Sequence, residues 1–416
     1  MLNVKKIILL ILVYLLFYKP ELFFIPSSLN LLFGTIGFIL SIFVPKDKNV
    51  IFNRSGLSAK KNFKYAIPFV VIAFFSCILN FSFDIYYIKY FFSLILGFYF
   101  SYFVAFLFYK VYKKITPRIL IEYILSAHII YIVLSLLMFF NPSIKAFLMS
   151  LLKLGSGAES AYEITEGIRL LCFGASFFTS GIINGLVLIL LSIYISIYKH
   201  STFKLMILYL LFILIIIVGM MMARTTLIGA IFAIGILLYY LLQSGIKILK
   251  IVLLLFFIFF LIAFIASKLS PTIAEQIELL LQFAFEMFIK YESSGALSTN
   301  SSDRMIEMYE TLPDNLKTWI IGDAIWIGSD GAYYMNTDVG YLRNIFYFGL
   351  LGMLGLVLYY KNILNYIFIK KHLFPKGNKL FFMSLLLYVL ILNLKGTADL
   401  YFYLIPFVFC SKYEHT

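Results

Sequence analysis

The sequence predicts an all-α protein, a polytopic membrane bundle of about 12 spanning helices with a large polar loop late in the chain. Hydrophobic residues make up 62 % of the 416 residues and charged residues only 13 %, a composition unlike that of a soluble domain. Apolar runs of about 20 residues, the length that crosses the hydrocarbon core, recur along the chain. Basic connectors separate many of these runs, as in multi-pass membrane proteins.

The spans fall into three groups, and the first group begins with 7–26. That run follows two lysines and resembles a signal peptide, but no small-residue cleavage site follows, which favours a retained helix. The predicted spans are 7–26, 29–45, 65–83, 90–111, 119–141, 176–198, 205–223, 226–243, 250–268, 339–360, 380–395 and 397–411. They define N-terminal membrane helices at 1–141, a first loop at 142–175, central helices at 176–268, a large loop at 269–338 and C-terminal helices at 339–416.

The distribution of basic residues predicts the orientation of the chain. With the N-terminus in the cytoplasm, roughly two thirds of the 34 Lys and Arg fall on the cytoplasmic side, as the positive-inside rule requires. Both termini are then cytoplasmic, and the loops 142–175 and 269–338 face away from the cytoplasm. The rule also accounts for the net charge of +14, so a nucleic-acid partner is not expected.

The large loop shows helical patterning of its own. Polar residues recur at helical spacing over 271–292 and leave an apolar flank that includes Leu280, Ala284 and Phe288. This pattern predicts an amphipathic helix on the bilayer surface or on the bundle. A second, short helix is predicted from Asp303, which is favourable in a first turn, to about Leu312, where Pro313 ends it.

Several kinds of chemistry lack their sequence signatures. The three cysteines form no CxxC pair, and none of the four histidines lies in the large loop, so no metal site is expected there. The sequence also lacks a phosphate-binding Gly-rich loop and a nucleophile elbow. We therefore expect neither a cofactor nor ATP-driven chemistry.

Three arginines on the predicted outer side are candidates for binding phosphate: Arg169, Arg224 and Arg304. A guanidinium stays charged and offers a planar fork of donors to phosphate oxygens. Alternatively, Arg224 anchors a helix end at the interface, whereas Arg169 and Arg304 pair with nearby acids such as Glu166 and Glu307.

Asp338 lies where the large loop re-enters the bilayer. A carboxylate at this place could act as a general base on a sugar hydroxyl. Its alternative role is structural, because a negative charge near a helix N-terminus is stabilised by the helix dipole.

These patches occur in an order that resembles a known family. Arg169-Leu-Leu-Cys-Phe-Gly precedes one helix, and Ala-Arg224-Thr-Thr-Leu-Ile-Gly forms a turn. Ser-Asp-Arg304 is followed by Trp-Ile-Ile-Gly322-Asp, and Thr-Asp338-Val-Gly-Tyr-Leu by Phe-Gly349-Leu-Leu-Gly352. Together with the number of spans, this layout resembles the O-antigen and capsule repeat-unit polymerases, the Wzy family, within the wider group that includes O-antigen ligases.

The resemblance implies an inverting, metal-independent glycosyl transfer at the outer face of the bacterial inner membrane. An undecaprenyl-pyrophosphate-linked oligosaccharide would be the substrate, and a chain-length regulator protein a candidate partner alongside membrane lipids. Arg169, Arg224 and Arg304 would bind the pyrophosphate, with Asp338 and Arg304 catalytic and Glu307 or Asp303 as fallback bases. The product would be O-antigen of lipopolysaccharide or capsular polysaccharide.

Two alternative functions remain open. A ligase of the same group would move glycan onto another acceptor, but such ligases tend to carry a histidine near the end of the large loop, where this sequence has Asp338. A flippase or transporter of lipid-linked sugars would form no bond. It should carry charged or broken helices near the bilayer midplane, whereas here ionisable residues cluster at helix ends. Lys395 and Asp399 form one such i,i+4 pair, which is predicted to be structural. The chain also shows no internal repeat.

Overall fold

The computed structural model of the chain describes residues 4–25, 27–44, 59–153, 162, 167–244, 271–295 and 298–411. These residues confirm the all-α class. The α-helices are α1 (Val4–Tyr18), α2 (Leu29–Phe43), α3 (Ala59–Leu79), α4 (Tyr86–Tyr112), α5 (Pro117–Phe140), α6 (Pro142–Ser150), α7 (Phe177–Ile197), α8 (Thr202–Met222), α9 (Thr226–Ser244), α10 (Pro271–Ser294), α11 (Asn300–Met308), α12 (Leu316–Ile321), α13 (Gly340–Leu364), α14 (Asn378–Leu392) and α15 (Tyr401–Leu404).

Among the described residues, six helices are long and apolar enough to cross a membrane. They are α4, α5, α7, α8, α9 up to Gln243, and α13 together with the π-helical turn that follows it to Lys370. Shorter apolar helices lie at Leu29–Phe43, Phe63–Leu79 and Asn378–Leu392. The predicted span 250–268 lies outside the described residues. The chain is thus a multi-pass membrane protein by composition and helix length, and the count of about 12 spans stays a prediction.

Proline shortens the helices at both ends of the chain relative to their predictions. The first helix ends at Tyr18 rather than near Pro26, because Pro20 disfavours helical backbone in the residue before it and Lys19 turns with a φ of 42°. The prediction of one span over 397–411 was wrong. That segment is a short helix ending at Leu404 followed by a 3-10 turn over Ile405–Phe409, since Pro406 supplies no N–H to continue an α-helix.

The chain forms two compact units, and the first comprises Met1–Lys19, Ile25–Tyr123 and Asn300–Thr416. Helix α4 is its centre and packs against α1, α2, α3 and the C-terminal 3-10 turn. Glycine permits the closest of these approaches. A Cβ on Gly37 of α2 would lie 2.0 Å from the carbonyl oxygen of Tyr99 in α4.

Both ends of the described chain lie at the C-terminal end of α4. The Lys6 ammonium lies 5.8 Å from the centre of the Tyr112 ring. The Ser411 N–H donates to the carbonyl of Ile115, in the turn after α4, at 2.8 Å. The two ends of the described chain therefore share one end of this unit, and the assignment of that end to the cytoplasm stays a prediction.

The second half of the large loop lies at the opposite end of α4. Asn80, in the turn before α4, donates to the Gly322 carbonyl at 3.0 Å, and the Trp326 N–H donates to the Asp84 carboxylate at 2.6 Å. This part of the loop is therefore anchored to the end of the bundle that is remote from the termini.

Two partly buried ionisable groups, Lys19 and Asp399, lie at the same end as this loop. The Tyr90 hydroxyl donates to the Asp399 carboxylate at 2.5 Å, and the Lys19 ammonium lies 3.7 Å from the centre of the Phe402 ring. Burial lowers the pKa of Lys19 to about 8, and the charge of Asp399 opposes that shift. Burial raises the pKa of Asp399.

The loop packs on a break in α13 by means of two glycines. The backbone leaves helical geometry at Phe348 and Gly349, and the N–H groups of Asp323 and Ala324 donate to carbonyls just before that break. Gly322 and Gly349 have φ, ψ values near 70° and −174°, a region that is essentially restricted to glycine. A Cβ on Gly349 would lie 2.2 Å from the backbone of Ile320.

The second unit comprises Pro20–Phe24 and Ile124–Thr299. Its core is α7, whose Gly185 meets Gly229 of α9 so closely that a Cβ on Gly229 would lie 2.1 Å from the Gly185 Cα. Small residues of this kind allow membrane helices to approach backbone to backbone. The predicted loop 269–338 is divided between the two units, since its residues belong to the second unit up to Thr299 and to the first from Asn300.

The helix over Pro271–Ser294 contains the whole range predicted as amphipathic. Within the second unit it packs against α8, with Leu280 and Ala284 buried. Both belong to the apolar flank that the helical spacing predicted. Phe288, predicted for the same flank, is instead 50 % exposed.

Candidate functional site

A cavity of about 710 Å³ in the first unit contains the predicted catalytic pair. It is lined by two basic side chains, one carboxylate, several hydroxyl and amide groups and three apolar side chains: Asn300, Ser301, Arg304, Met305, Met308, Ala332, Tyr333, Asn336, Asp338 and Lys395. Three separate parts of the chain therefore contribute to one site, namely α11, the segment before α13, and the turn after α14.

Apolar packing places Arg304 in this cavity. Met305 and Met308, on the same helix, pack against a buried cluster of Val339, Leu342 and Phe346 at the start of α13. The burial of Met305 and Met308 orients α11 on α13. Arg304 of α11 therefore lines the same cavity as Asp338.

A hydrogen bond brings the turn after α14 to the same site. The hydroxyl of Tyr309, in the turn after α11, donates to the Leu394 carbonyl at 2.7 Å. The neighbouring Lys395 consequently lines the cavity together with Arg304.

Within the described part of the chain, neither Arg304 nor Asp338 forms an ion pair, and both are exposed. The alternative in which Arg304 pairs with Glu307 is therefore not what the structure shows. Asp338 lies two residues before the first residue of α13, so the helix dipole also stabilises its charge. The fallback bases Asp303 and Glu307 are not among the residues that line the cavity.

Lys395 was missed by sequence reasoning, which paired it with Asp399 at i,i+4 and considered both structural. That spacing brings side chains together only on a helix, and α14 ends at Leu392, before either residue. Lys395 instead lines the cavity, and Asp399 accepts from Tyr90 and from the Tyr401 N–H. The glycine that follows Lys395 was the available signal that the helix had ended.

Arg169 and Arg224 come together in the second unit. The Leu170 N–H donates to the Met221 carbonyl at 3.1 Å, which holds the segment carrying Arg169 beside the turn that carries Arg224. Both guanidinium groups lie over the ring of Phe283 in α10, with their Cζ atoms 5.1 and 4.6 Å from its centre. The amphipathic helix thus supplies a shared aromatic surface for two cations.

The same helix supplies a carboxylate. Glu286 forms an ion pair with Arg224. The side chains of Arg224 and Glu286 are 18 and 24 % exposed, so water screens the pair only in part. The prediction that Arg224 anchors a helix end is incomplete, since its guanidinium has a specific partner from the large loop.

Among the described residues of the second unit, Arg169 and Arg224 lie together with one carboxylate, that of Glu286, which leaves positive charge in excess. Burial lowers the pKa of both arginines, and the charge of Arg169 lowers that of Arg224 further. The Nε of Arg169 is buried and has no hydrogen-bond partner among the described residues. Glu166, its predicted alternative partner, lies outside those residues. Two neighbouring guanidinium groups, one of them with a donor that no described residue accepts from, are suited to an anion of two or more charges, such as pyrophosphate.

Arg343 is a further basic residue that sequence reasoning did not assign to a site. It is 7 % exposed and lies between the rings of Trp326 and Tyr333, with its Cζ 3.7 and 3.6 Å from their centres. An arginine in the first turn of an apolar helix was a signal, because ionisable residues in such segments are costly.

Comparisons of the chain with protein-family models, with curated proteins and with solved structures gave no match.

Proposed function

We propose that this protein is a membrane glycosyltransferase that polymerises oligosaccharide repeat units carried on undecaprenyl pyrophosphate, at the outer face of the bacterial inner membrane. The observation that carries the proposal is the cavity in which Asp338 lies with Arg304 and Lys395. A carboxylate without an ion-pair partner among the described residues, beside two cations and several hydroxyl and amide groups, is suited to a saccharide hydroxyl that must lose a proton.

In the proposed reaction, Asp338 accepts the proton of the attacking hydroxyl of one repeat unit. The hydroxyl oxygen forms a bond to the anomeric carbon of a second, lipid-linked unit as the bond from that carbon to the pyrophosphate oxygen breaks. The pyrophosphate leaves with the electron pair, and the configuration at the anomeric carbon inverts. General-base catalysis of this kind contributes about 10²- to 10⁴-fold.

Arg169 and Arg224 are the proposed ligands of a lipid pyrophosphate in the second unit. Negative charge grows on the leaving pyrophosphate, and fixed guanidinium groups stabilise it without reorganising. Burial makes each contact stronger than it would be in water. The two arginines supply positive charge where other enzymes use a metal ion, and Glu286 offsets part of that charge. That Arg304 converges on the same phosphate stays a prediction.

Complementation of a deletion strain tests the proposal. Loss of a polymerase leaves single repeat units on the lipid, whereas loss of a flippase leaves no surface repeat, and loss of a ligase leaves long chains on the carrier. Wild-type protein should restore long chains, and Asp338→Asn and Arg304→Ala should leave single units. Glu307→Gln, one turn from Arg304 but outside the cavity lining, is the control and should restore long chains. Normal chains with Asp338→Asn or Arg304→Ala would refute the assigned roles.

A further inference from the structure

Three aromatic rings and one guanidinium form a continuous stack that ends at the cavity. The rings of Tyr86 and Trp326 are stacked at 3.9 Å with an interplanar angle of 12°. Arg343 covers the next face, with its Cζ 3.7 Å from the centre of the Trp326 ring and 3.6 Å from that of Tyr333. The order is therefore Tyr86, Trp326, Arg343, Tyr333.

A short hairpin holds the rings of Trp326 and Tyr333 on opposite faces of the Arg343 guanidinium. Ile327 and Tyr333 form an antiparallel bridge, and the Tyr334 N–H donates to the Trp326 carbonyl at 3.3 Å. The end of the hairpin that carries Trp326 is fixed because the Trp326 N–H donates to the Asp84 carboxylate. The position of Tyr333 is thus set by the hairpin and by Arg343.

The Arg343 guanidinium stacks on the rings of Trp326 and Tyr333 and also interacts with the Tyr333 hydroxyl. Its Nε and Nη2 are buried and have no hydrogen-bond partner among the described residues. Burying unpaired donors such as these costs free energy, and cation–π attraction to the two aromatic rings offsets that cost. Arg343 consequently keeps the Tyr333 ring in place before any ligand arrives.

Tyr333 lines the cavity, and Arg343 covers one face of its ring. The residue is 45 % exposed and shares the lining with Asp338, Ser301 and Asn336. Since Arg343 covers one face, the opposite face and the ring edge are the parts of the ring left for a ligand. A flat aromatic surface next to amide, hydroxyl and carboxylate groups matches a sugar ring, which has an apolar C–H face and a polar rim.

We propose that the free face of Tyr333 is the platform on which the accepting sugar stacks, with the attacking hydroxyl of that sugar directed to Asp338. This assignment rests on the proposed function, and it makes the cavity the acceptor subsite because the base must contact the attacking hydroxyl. A ring already immobilised by Arg343 loses little freedom on binding, which favours affinity.

The test uses the purified full-length protein and its strain's own repeat-unit oligosaccharide, released from the lipid by mild acid. Binding without donor is measured by calorimetry, and the acceptor KM and kcat are measured with lipid-linked donor. Tyr333→Leu keeps apolar bulk but removes the flat face, so it should weaken binding and raise KM about three- to tenfold with kcat little changed. Tyr333→Phe keeps the ring and should stay within about twofold of wild type.

Tyr291→Leu, an exposed tyrosine on α10 outside the cavity lining, is the matched control and should change neither value. Wild-type binding by Tyr333→Leu, in a preparation whose Asp338→Asn variant no longer polymerises, would overturn the platform while leaving the proposed function in place. A wild-type protein that neither binds the oligosaccharide nor extends it would overturn both. Equal losses in Tyr333→Phe and Tyr333→Leu would also overturn the platform, because they would implicate the hydroxyl rather than the ring face.

Discussion

Glu286→Gln should weaken the fold and strengthen anion binding at the same time. Glu286 forms an ion pair with Arg224, and the Arg169 guanidinium lies over the same Phe283 ring as that of Arg224. Glutamine keeps the size of the side chain but removes its charge. The two cations then lack the negative charge that now balances Arg224, and a pyrophosphate no longer competes with this carboxylate.

The loss of stability follows from the burial of the pair. Removing one partner of a fully buried ion pair costs about 3–5 kcal/mol, whereas a solvent-exposed pair contributes about 0–1 kcal/mol. With side chains 18 and 24 % exposed, this pair lies between those limits. We therefore expect a loss of roughly 1–3 kcal/mol for Glu286→Gln.

Thermal unfolding of the purified protein in detergent, with and without farnesyl pyrophosphate, measures both effects. Without ligand the variant should unfold at lower temperature than wild type. Bound ligand stabilises by an amount that grows with its concentration relative to Kd, so the ligand-induced shift should be larger in Glu286→Gln than in wild type.

Two matched variants complete the experiment. Glu278→Gln, two turns earlier on the same helix and exposed, should match wild type in both measurements. Arg224→Gln should lose the ligand-induced shift. If Glu286→Gln lowers stability but leaves the response to farnesyl pyrophosphate unchanged or smaller, Arg224 and Glu286 are a structural pair only and the anion site is refuted.

Three further predictions concern other parts of the molecule. Asp338→Asn should lower the in vitro polymerisation rate about 10²- to 10⁴-fold and should lower stability by at most about 1 kcal/mol, the helix-dipole contribution, while Glu307→Gln keeps the wild-type rate. Gly349→Ala should destabilise the protein by roughly 2–5 kcal/mol, seen as faster proteolysis in detergent, because its backbone geometry excludes a Cβ and the Ile320 backbone leaves no room. Burial lowers the pKa of Lys19 from 10.5 to about 8, so the folded protein loses this proton before the unfolded chain does. Stability should therefore rise between pH 8 and 10.5, and Lys19→Met should reduce that rise when unfolding is followed across the window.

Much of the helical framework could be predicted from the sequence, because long apolar runs in a membrane protein have few alternatives to an α-helix. The amphipathic helix also followed from spacing, since Leu280 and Ala284 of its predicted apolar flank are buried. The helix ends were less predictable. Pro20 and Pro406 were visible in the sequence, but hydropathy averages over such positions.

The site residues could be named from the sequence only where charge stood out against apolar surroundings. Arg304 and Asp338 line one cavity, and Arg169 and Arg224 lie over one ring. The other residues that line these sites are brought there by tertiary contacts between parts of the chain that are far apart in sequence. The approach of Lys395 to α11, for example, requires the hydrogen bond between Tyr309 and the Leu394 carbonyl, which no local pattern encodes.

Reconstituted polymerisation tests the central claim most directly. Purified protein in liposomes would receive only undecaprenyl-pyrophosphate-linked repeat units, with a metal chelator and no nucleotide, and the products would be separated by size. Wild-type protein should produce a ladder of oligomers, and Asp338→Asn only the starting unit. The absence of a ladder with wild-type protein, or an equal ladder with Asp338→Asn, would contradict the assignment of this cavity as a polymerase site.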